Sequence, residues 1–177
     1  MEINQLLGLM RKRASCRNYL DKPVEDEKIR NCLEAARLAP SACNKQPWRF
    51  KIITDTEQRS AICRRALLPG IPMPWLNKAP VIALLCAKTN IVTHTFAPML
   101  SKVKYHLVDI GIAGEHFILG AEAQGLGTCW IGWFKEKQVR KIASIPGNLQ
   151  ILSLISLGYP AEPGEQPSKN SIEEILI

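Results

Sequence analysis

The stretch Val103-Lys-Tyr-His-Leu-Val-Asp-Ile-Gly-Ile-Ala-Gly-Glu-His-Phe-Ile-Leu-Gly-Ala-Glu-Ala-Gln124, followed at once by Gly125-Leu-Gly-Thr-Cys-Trp-Ile-Gly-Trp133, decides how this 177-residue chain folds. Leu107, Ile110, Gly111, Gly114, Phe117, Ile118 and Ala121 recur at helical spacing, and apolar residues fill nearly the whole circumference. A helix that is apolar all round belongs in an interior. Gly125-Leu-Gly stops it, and Thr128 to Gly132 then reads as a strand. A small domain has too little cover to bury such a helix on every side. The pattern therefore predicts an obligate dimer with this helix near the interface.

Downstream, Lys135 to Ser144 has helical spacing and Leu149 to Leu157 reads as a strand. After Gly158-Tyr-Pro160 the chain turns polar until Ile172 to Ile177. Upstream, the unbroken apolar run Val81 to Ala87 is the signature of a strand buried on both faces. Residues 88–101 have no period and read as a mobile excursion, and the four prolines of 69–80 predict a loop. Before them come a helix at Glu57 to Leu68, a strand at Arg49 to Thr54, a loop at Pro40 to Trp48 and a helix at Glu25 to Arg37. Arg13 to Tyr19 reads as extended, and Ile3 to Lys12 as a helix with an apolar stripe. Loosely alternating helices and about four strands predict a single domain spanning 1–177, of class α+β or three-layer α/β.

Composition narrows the function. Apolar residues make up 46% of the chain and charged ones 22%, which is globular and excludes a disordered tail. The longest apolar run, near Pro80 to Ala87, is far short of the ~20 residues of a membrane helix. Met1 to Gln5 lacks the basic-then-apolar layout of a secretory signal. The six cysteines form no Cys-x-x-Cys pair, so neither a disulfide scaffold nor a metal site is expected. Reduced thiols fit a cytoplasmic protein. Of the net charge of +7, residues 1–70 carry +6, from 14 basic and 8 acidic side chains. That excess suits nucleic acid, a membrane surface, a phosphate-bearing small molecule or plain solvation.

Three motifs stand out. In an extended Arg13-Ala14-Ser15-Cys16-Arg17, alternate residues share a face, so Arg13, Ser15 and Arg17 line up over ~13 Å. They suit a phosphate at one end and a carbonyl-rich group at the other, or a solvated basic turn. Pro40-Ser-Ala-Cys-Asn-Lys-Gln-Pro-Trp48 is either an ordinary loop or a stiffened one whose small residues let backbone approach a flat ligand. Gly125 to Trp133 runs from helix to strand, the reverse of a dinucleotide fingerprint. It is either a helix stop with a core strand, or backbone N–H groups around Gly132 and Trp133 beside an aromatic wall.

Taken in order, Arg-x-Ser-x-Arg, Pro-Ser-Ala-x-Asn-x-Gln-Pro-Trp, Gly-Leu-Gly-Thr-Cys-Trp-Ile-Gly and Leu157-Gly-Tyr-Pro160 resemble the nitroreductase-like flavoprotein family over nearly the whole chain. The resemblance implies an α/β/α sandwich around a mixed, mainly antiparallel sheet, in an obligate homodimer binding FMN at the interface. It implies that Arg13 and Ser15 hold the phosphate end and Arg17 the pyrimidine edge, with Ala14 also among the cofactor-binding residues. Pro40, Ser41, Ala42 and Asn44 would press on the flavin from the partner subunit, backbone at Gly132 and Trp133 would face the flavin N5, and the 158–177 tail would wrap on the partner. Lys169 stands where family members usually carry an arginine on the phosphate, and a point charge replaces a fork there.

The implied activity is hydride transfer from NADH or NADPH, by way of the flavin, to a small electron-poor acceptor such as a nitroaromatic or quinone, with ping-pong kinetics. The flavin carries that chemistry, which accounts for the lack of an acid–base pair: His94, His106 and His116 are isolated. Arg17 would stabilise negative charge on the reduced ring. Cys43 and Cys129 fall near the implied site, and Trp75 and Phe96 in segments that could cap it. Other readings are a different flavin-linked reductase, a dehalogenase, a flavin-storing or sensing protein, and a nucleic-acid module. Dehalogenating relatives carry Glu, Tyr and Lys in the lid, whereas residues 88–102 contain lysines but no acid or tyrosine. The tryptophans lie mostly outside the basic stretch, which argues against nucleic acid.

Overall fold

The computed structural model describes residues 2–88 and 103–177. Strands β1 (Trp48–Ile53), β2 (Val81–Lys88), β3 (Gly127–Ile131) and β4 (Leu149–Gly158) form one sheet in the order β1-β2-β4-β3. Every ladder between them is antiparallel, and one parallel bridge, Ser15 to Thr128, joins the extended N-terminal segment to β3.

Central β2 shows why the run at 81–87 is uninterrupted. Val81, Ala83, Leu85 and Ala87 point into one core; Ile82, Leu84 and Cys86 point into the other. Period-two alternation makes both faces apolar only if every residue is apolar. The first core is closed by α2 (Asp26–Arg37) and α4 (Tyr105–Glu122), through Ile29, Cys32, Ala36, Ile110, Phe117 and Ala121. The second is closed by α3 (Thr56–Arg65) and α5 (Glu136–Ala143), through Ile62, Val139 and Ala143. Two helical layers therefore sandwich the sheet. Phe50 of β1 stacks on Phe117 of α4 with centroids 5.2 Å apart, tying the edge strand to the layer above it.

Helix α1 (Ile3–Lys12) and the 26–37 and 136–143 helices lie close to where periodicity places them. Two predicted spans change. The helix expected at Glu57 to Leu68 ends at Arg65, because Leu67 bridges Phe134 and the Leu68 N–H donates to the Trp133 carbonyl. In the proline-rich segment, Pro74–Lys78 forms a 3-10 turn that sinks Leu76 fully into the second core. Trp75 packs there against Tyr19, centroids 6.5 Å apart.

The long helix is covered along only part of its length. Its C-terminal two-thirds is covered by α2 and the sheet, but Tyr105, Leu107 and Val108 are exposed. Within one chain, α2 and the sheet leave this N-terminal end of α4 uncovered. The excursion predicted at 88–101 falls, apart from Lys88 in β2, outside the described residues, as do His94 and Phe96.

Candidate functional site

The segment after α1 alternates as an extended strand must. Ala14, Cys16 and Tyr19 are buried, Ser15 and Arg17 face out, and Arg13 is half-buried at the end of α1. Backbone pairing fixes that alternation: the Cys16 N–H donates to the Thr128 carbonyl at 2.8 Å beside the Ser15–Thr128 bridge. The Tyr19 hydroxyl donates to the Cys16 carbonyl at 3.0 Å and sits 2.7 Å from Ser156 Oγ. Burial holds that phenol protonated far above its ordinary range.

The C-terminal tail straps the same segment from outside. Asn18 Nδ2 donates to Glu162, the Ala161 N–H donates to the Asn18 carbonyl, and Gln166 Nε2 donates to the carbonyls of Met10 and Arg13. Gly164 lies so close that a Cβ there would stand 2.7 Å from the Ala14 Cβ. A shallow cavity of about 350 Å³ opens between this strap and the Ser15–Asn18 segment.

The segment of Arg13, Ser15 and Arg17 is thus held in place on both sides, and its arginines stand outside the ion pairs. Among the described residues the ion pairs are Lys22–Glu25, Arg37–Glu34 and Arg140–Glu136, none involving Arg13 or Arg17. Arg17 and Ser15 lie against the buried Cys129 thiol. Burial raises that thiol above its ordinary value, and Arg17 pulls against the rise. Burial likewise raises the Glu122 carboxyl at the end of α4, opposed by Arg13 and Lys12. Two guanidiniums and a hydroxyl on one backbone-paired segment are groups of the kind that suit a phosphate-bearing ligand.

Sheet pairing brings the first and third motifs together. Past Thr128, β3 ends at Ile131, and Gly132 and Trp133 emerge exposed. Their N–H groups donate to no described residue, while the Trp133 indole is fixed by its bond to the Pro69 carbonyl at 2.9 Å. Trp130 lies across α4 at Gly114, where a Cβ would fall 2.3 Å from the ring.

The second motif is built differently. From Pro40 to Gln46 the loop is exposed except for half-buried Ser41. Cys43, Asn44 and Gln46 have φ of 50°, 53° and 46°. Left-handed backbone in a non-glycine residue costs roughly 1–2 kcal/mol, so the surroundings must impose this shape. Ser41 Oγ accepts from the Gln46 N–H at 2.9 Å, and Gln46 Nε2 donates to Asn44 Oδ1 at 3.0 Å. The Ala42 N–H donates at 3.0 Å to the carboxylate of Asp109, which is buried in the second turn of α4.

The chain does not bring this loop to the arginine-bearing segment. Asp109 and Glu122, which anchor the loop and sit by Arg13, are 13 positions apart on α4, or about 20 Å at ~1.5 Å per residue. Lys169 lies in the exposed tail beyond the strap. Asp109, Tyr19, Glu122 and Gln166 were absent from the residues read off the sequence. Asp109 had a signal, an acid set between apolar Val108 and Ile110 of a buried helix. Gln166 had none, since its partners are more than 150 positions away. Among the described residues no cluster of His, Cys, Asp and Glu could hold a metal, and no helix is long and apolar enough to cross a membrane.

Fold and motif placement define a flavoprotein-like sandwich, and comparison with known proteins makes the class specific. The Nitroreductase family profile matches residues 10–69 and 64–159. The chain belongs to the nitroreductase family. A protein of Archaeoglobus fulgidus, provisionally named an NADH dehydrogenase/NAD(P)H nitroreductase, is 34% identical over 166 residues, covering 90% of this chain and 88% of its own. The FMN reductase [NAD(P)H] of Bacillus subtilis is 30% identical over 172 residues, covering 90% and 68%. Among solved structures, an FMN-dependent nitroreductase of Clostridium difficile R20291 superposes with a TM-score of 0.73 at 28% identity, covering 92% of this chain and 91% of the other.

Proposed function

We propose that this protein is an FMN-dependent NAD(P)H oxidoreductase working as a homodimer, with a small electron-poor molecule such as a nitroaromatic or quinone as acceptor. The observation that carries the reading is the extended segment itself: Ser15 and Arg17 exposed and Arg13 half-buried beside it, with both arginines outside every ion pair formed by described residues. Relatives named NAD(P)H nitroreductase and FMN reductase [NAD(P)H] support the same chemistry.

When bound, FMN supplies the two-electron step, taking hydride from a nicotinamide and giving it to the acceptor. The chain supplies binding and electrostatics. Arg13 and Ser15 would hold the phosphate end, with Ala14 buried between them, and Lys169 would add a point charge there. Arg17 places a fixed cation at the pyrimidine edge, where charge grows on reduction. The free N–H groups of Gly132 and Trp133 face the reacting edge of the ring.

Pro40, Ser41, Ala42 and Asn44 hang from the far end of α4, so they serve the arginine-bearing segment of a second copy. Tyr105, Leu107 and Val108, 50%, 42% and 50% exposed, give that copy an apolar surface to cover. The tail beyond the strap ends in exposed Ile172, Ile175, Leu176 and Ile177, which pack on the same partner.

The test is direct. Purified protein titrated with FMN should bind one per subunit, sediment as a dimer, and bleach when NADH or NADPH is added without oxygen. Colourless monomers indifferent to FMN overturn the reading, and FMN-loaded dimers that never bleach reduce it to flavin storage.

A further inference from the structure

We propose that Asp109 is a positioning residue: its buried carboxylate locks the 41–46 loop into the strained shape in which that loop grips the cofactor held by a second subunit. The proposal rests on the flavin reading above for its last step and on local geometry for the rest.

Three left-handed residues within four positions, Cys43, Asn44 and Gln46, give the loop a shape it would not keep alone. Most of its hydrogen bonds are internal. Ser41 accepts from Gln46, Gln46 donates to Asn44, and the Asn44 and Lys45 N–H groups donate back to Ser41 and Ala42. Arg49 adds a bond from β1 to the Gln46 carbonyl at 3.1 Å. These bonds define the shape of the loop but leave its aim open. Among the described residues one hydrogen bond ties 41–46 to α4, the 3.0 Å bond from the Ala42 N–H to Asp109 Oδ1.

The donor and the acceptor are both informative. Ala42 is one of the residues read as pressing on the flavin, so the bond acts on the gripping backbone itself. Asp109 is 5% exposed, although carboxylates are seldom buried without a partner. Its neighbour Val108 is exposed on the apolar surface proposed for the second subunit. One turn of α4 thus carries the dimer contact and the loop anchor side by side, so subunit pairing and loop aim are set by the same rigid element.

Asp109→Ala removes the acceptor, and Asp109→Asn keeps an oxygen in its place. A bond to a charged group supports an effect of about 10- to 100-fold. In Asp109→Ala, trypsin cleavage after exposed Lys45 in the otherwise folded protein should accelerate by about tenfold or more, and exchange of the Ala42 amide should speed likewise. FMN affinity, read by flavin fluorescence, should fall by about tenfold while the dimer persists. Asp109→Asn should restore both readouts to near wild type, a rescue that a generic packing defect would not show. If Asp109→Ala fails to fold, Ala42→Pro deletes the donor from the other side and should give the same two effects.

Unchanged cleavage at Lys45 in Asp109→Ala overturns the anchoring role. Faster cleavage with wild-type FMN affinity overturns the link from loop to cofactor. Wild-type protein that takes up no FMN sinks the functional reading and that link together, while the cleavage and exchange measurements still decide whether Asp109 anchors the loop.

Discussion

The ridge at 13–19 and the loop at 40–46 are two halves of one proposed site, and the chain stabilises them by opposite means. The ridge borrows its geometry from the sheet: its backbone pairs with Thr128, Tyr19 pins it from within, and the tail pins it from without. The loop has no ladder to join. It relies on side chains, Ser41, Gln46 and Asp109, to hold backbone angles that L-residues disfavour. A charge that must stay fixed is best mounted on paired backbone. The loop projects beyond the sheet, where its own turn bonds and a few side chains shape it in place of a ladder.

The largest expected effect tests the ridge as an electrostatic device. Arg17→Ala should still bind some FMN but slow anaerobic flavin reduction by about 100-fold, the scale of one lost transition-state donor. Stopped-flow absorbance reads it, and an unchanged rate removes the role. Next comes the ridge as a packed object. Gly164→Val pushes a side chain into Ala14 and should destabilise the protein by about 1–3 kcal/mol in urea unfolding, with looser FMN binding. A neutral result means the strap is not seated on the segment.

Thiols sharpen the contrast further. Cys16 and Cys129 lie buried behind the ridge with values raised by burial, whereas Cys43 in the loop is exposed. At pH 8 a thiol-specific reagent should label Cys43 first and leave the other two nearly untouched. Cys32 and Cys86 are raised by burial to about 11 from 9.0. Above pH 9 the unfolded thiols lose protons that the folded ones keep, so stability falls as pH rises. Each such thiol contributes up to about 1.4 kcal/mol per pH unit between about 9 and 11. Denaturation midpoints flat across that window would contradict the burial.

The smallest effect concerns the loop alone. Cys43→Gly relieves a positive φ at an exposed site and should raise stability by a few tenths to about 1 kcal/mol in thermal unfolding, because relief of strain is partly offset by glycine's entropy.

These contrasts explain what could be read from the residues alone. The unbroken run at 81–87 and the stripe of α2 are local patterns of burial, and both became the elements they announced. The ends of elements were less legible, because tertiary pairing set them: Leu67 left its helix for Phe134. Motif spacing marked Arg13, Ser15 and Arg17, since alternation in an extended segment is a property of the backbone. It could not mark Asp109 as an anchor or Gln166 as a strap, because neither bond has any signature closer than 67 residues along the chain. The apolar end of α4 at Tyr105, Leu107 and Val108, expected to lie near a dimer interface, is exposed within one chain. Apolar sequence reports that a surface will be covered, but not by which chain.

The strap also constrains the order in which the molecule can be made. Bonds from Glu162 and Gln166 reach back 144 to 156 positions to Asn18, Arg13 and Met10. During synthesis α1 and the basic segment emerge before their partners, and they wait for β3 to pair with and for residues 161–166 to seal them. The arginine-bearing segment is therefore completed only after residues 161–166 have been made, and the nascent chain carries Arg13 and Arg17 unstrapped until then.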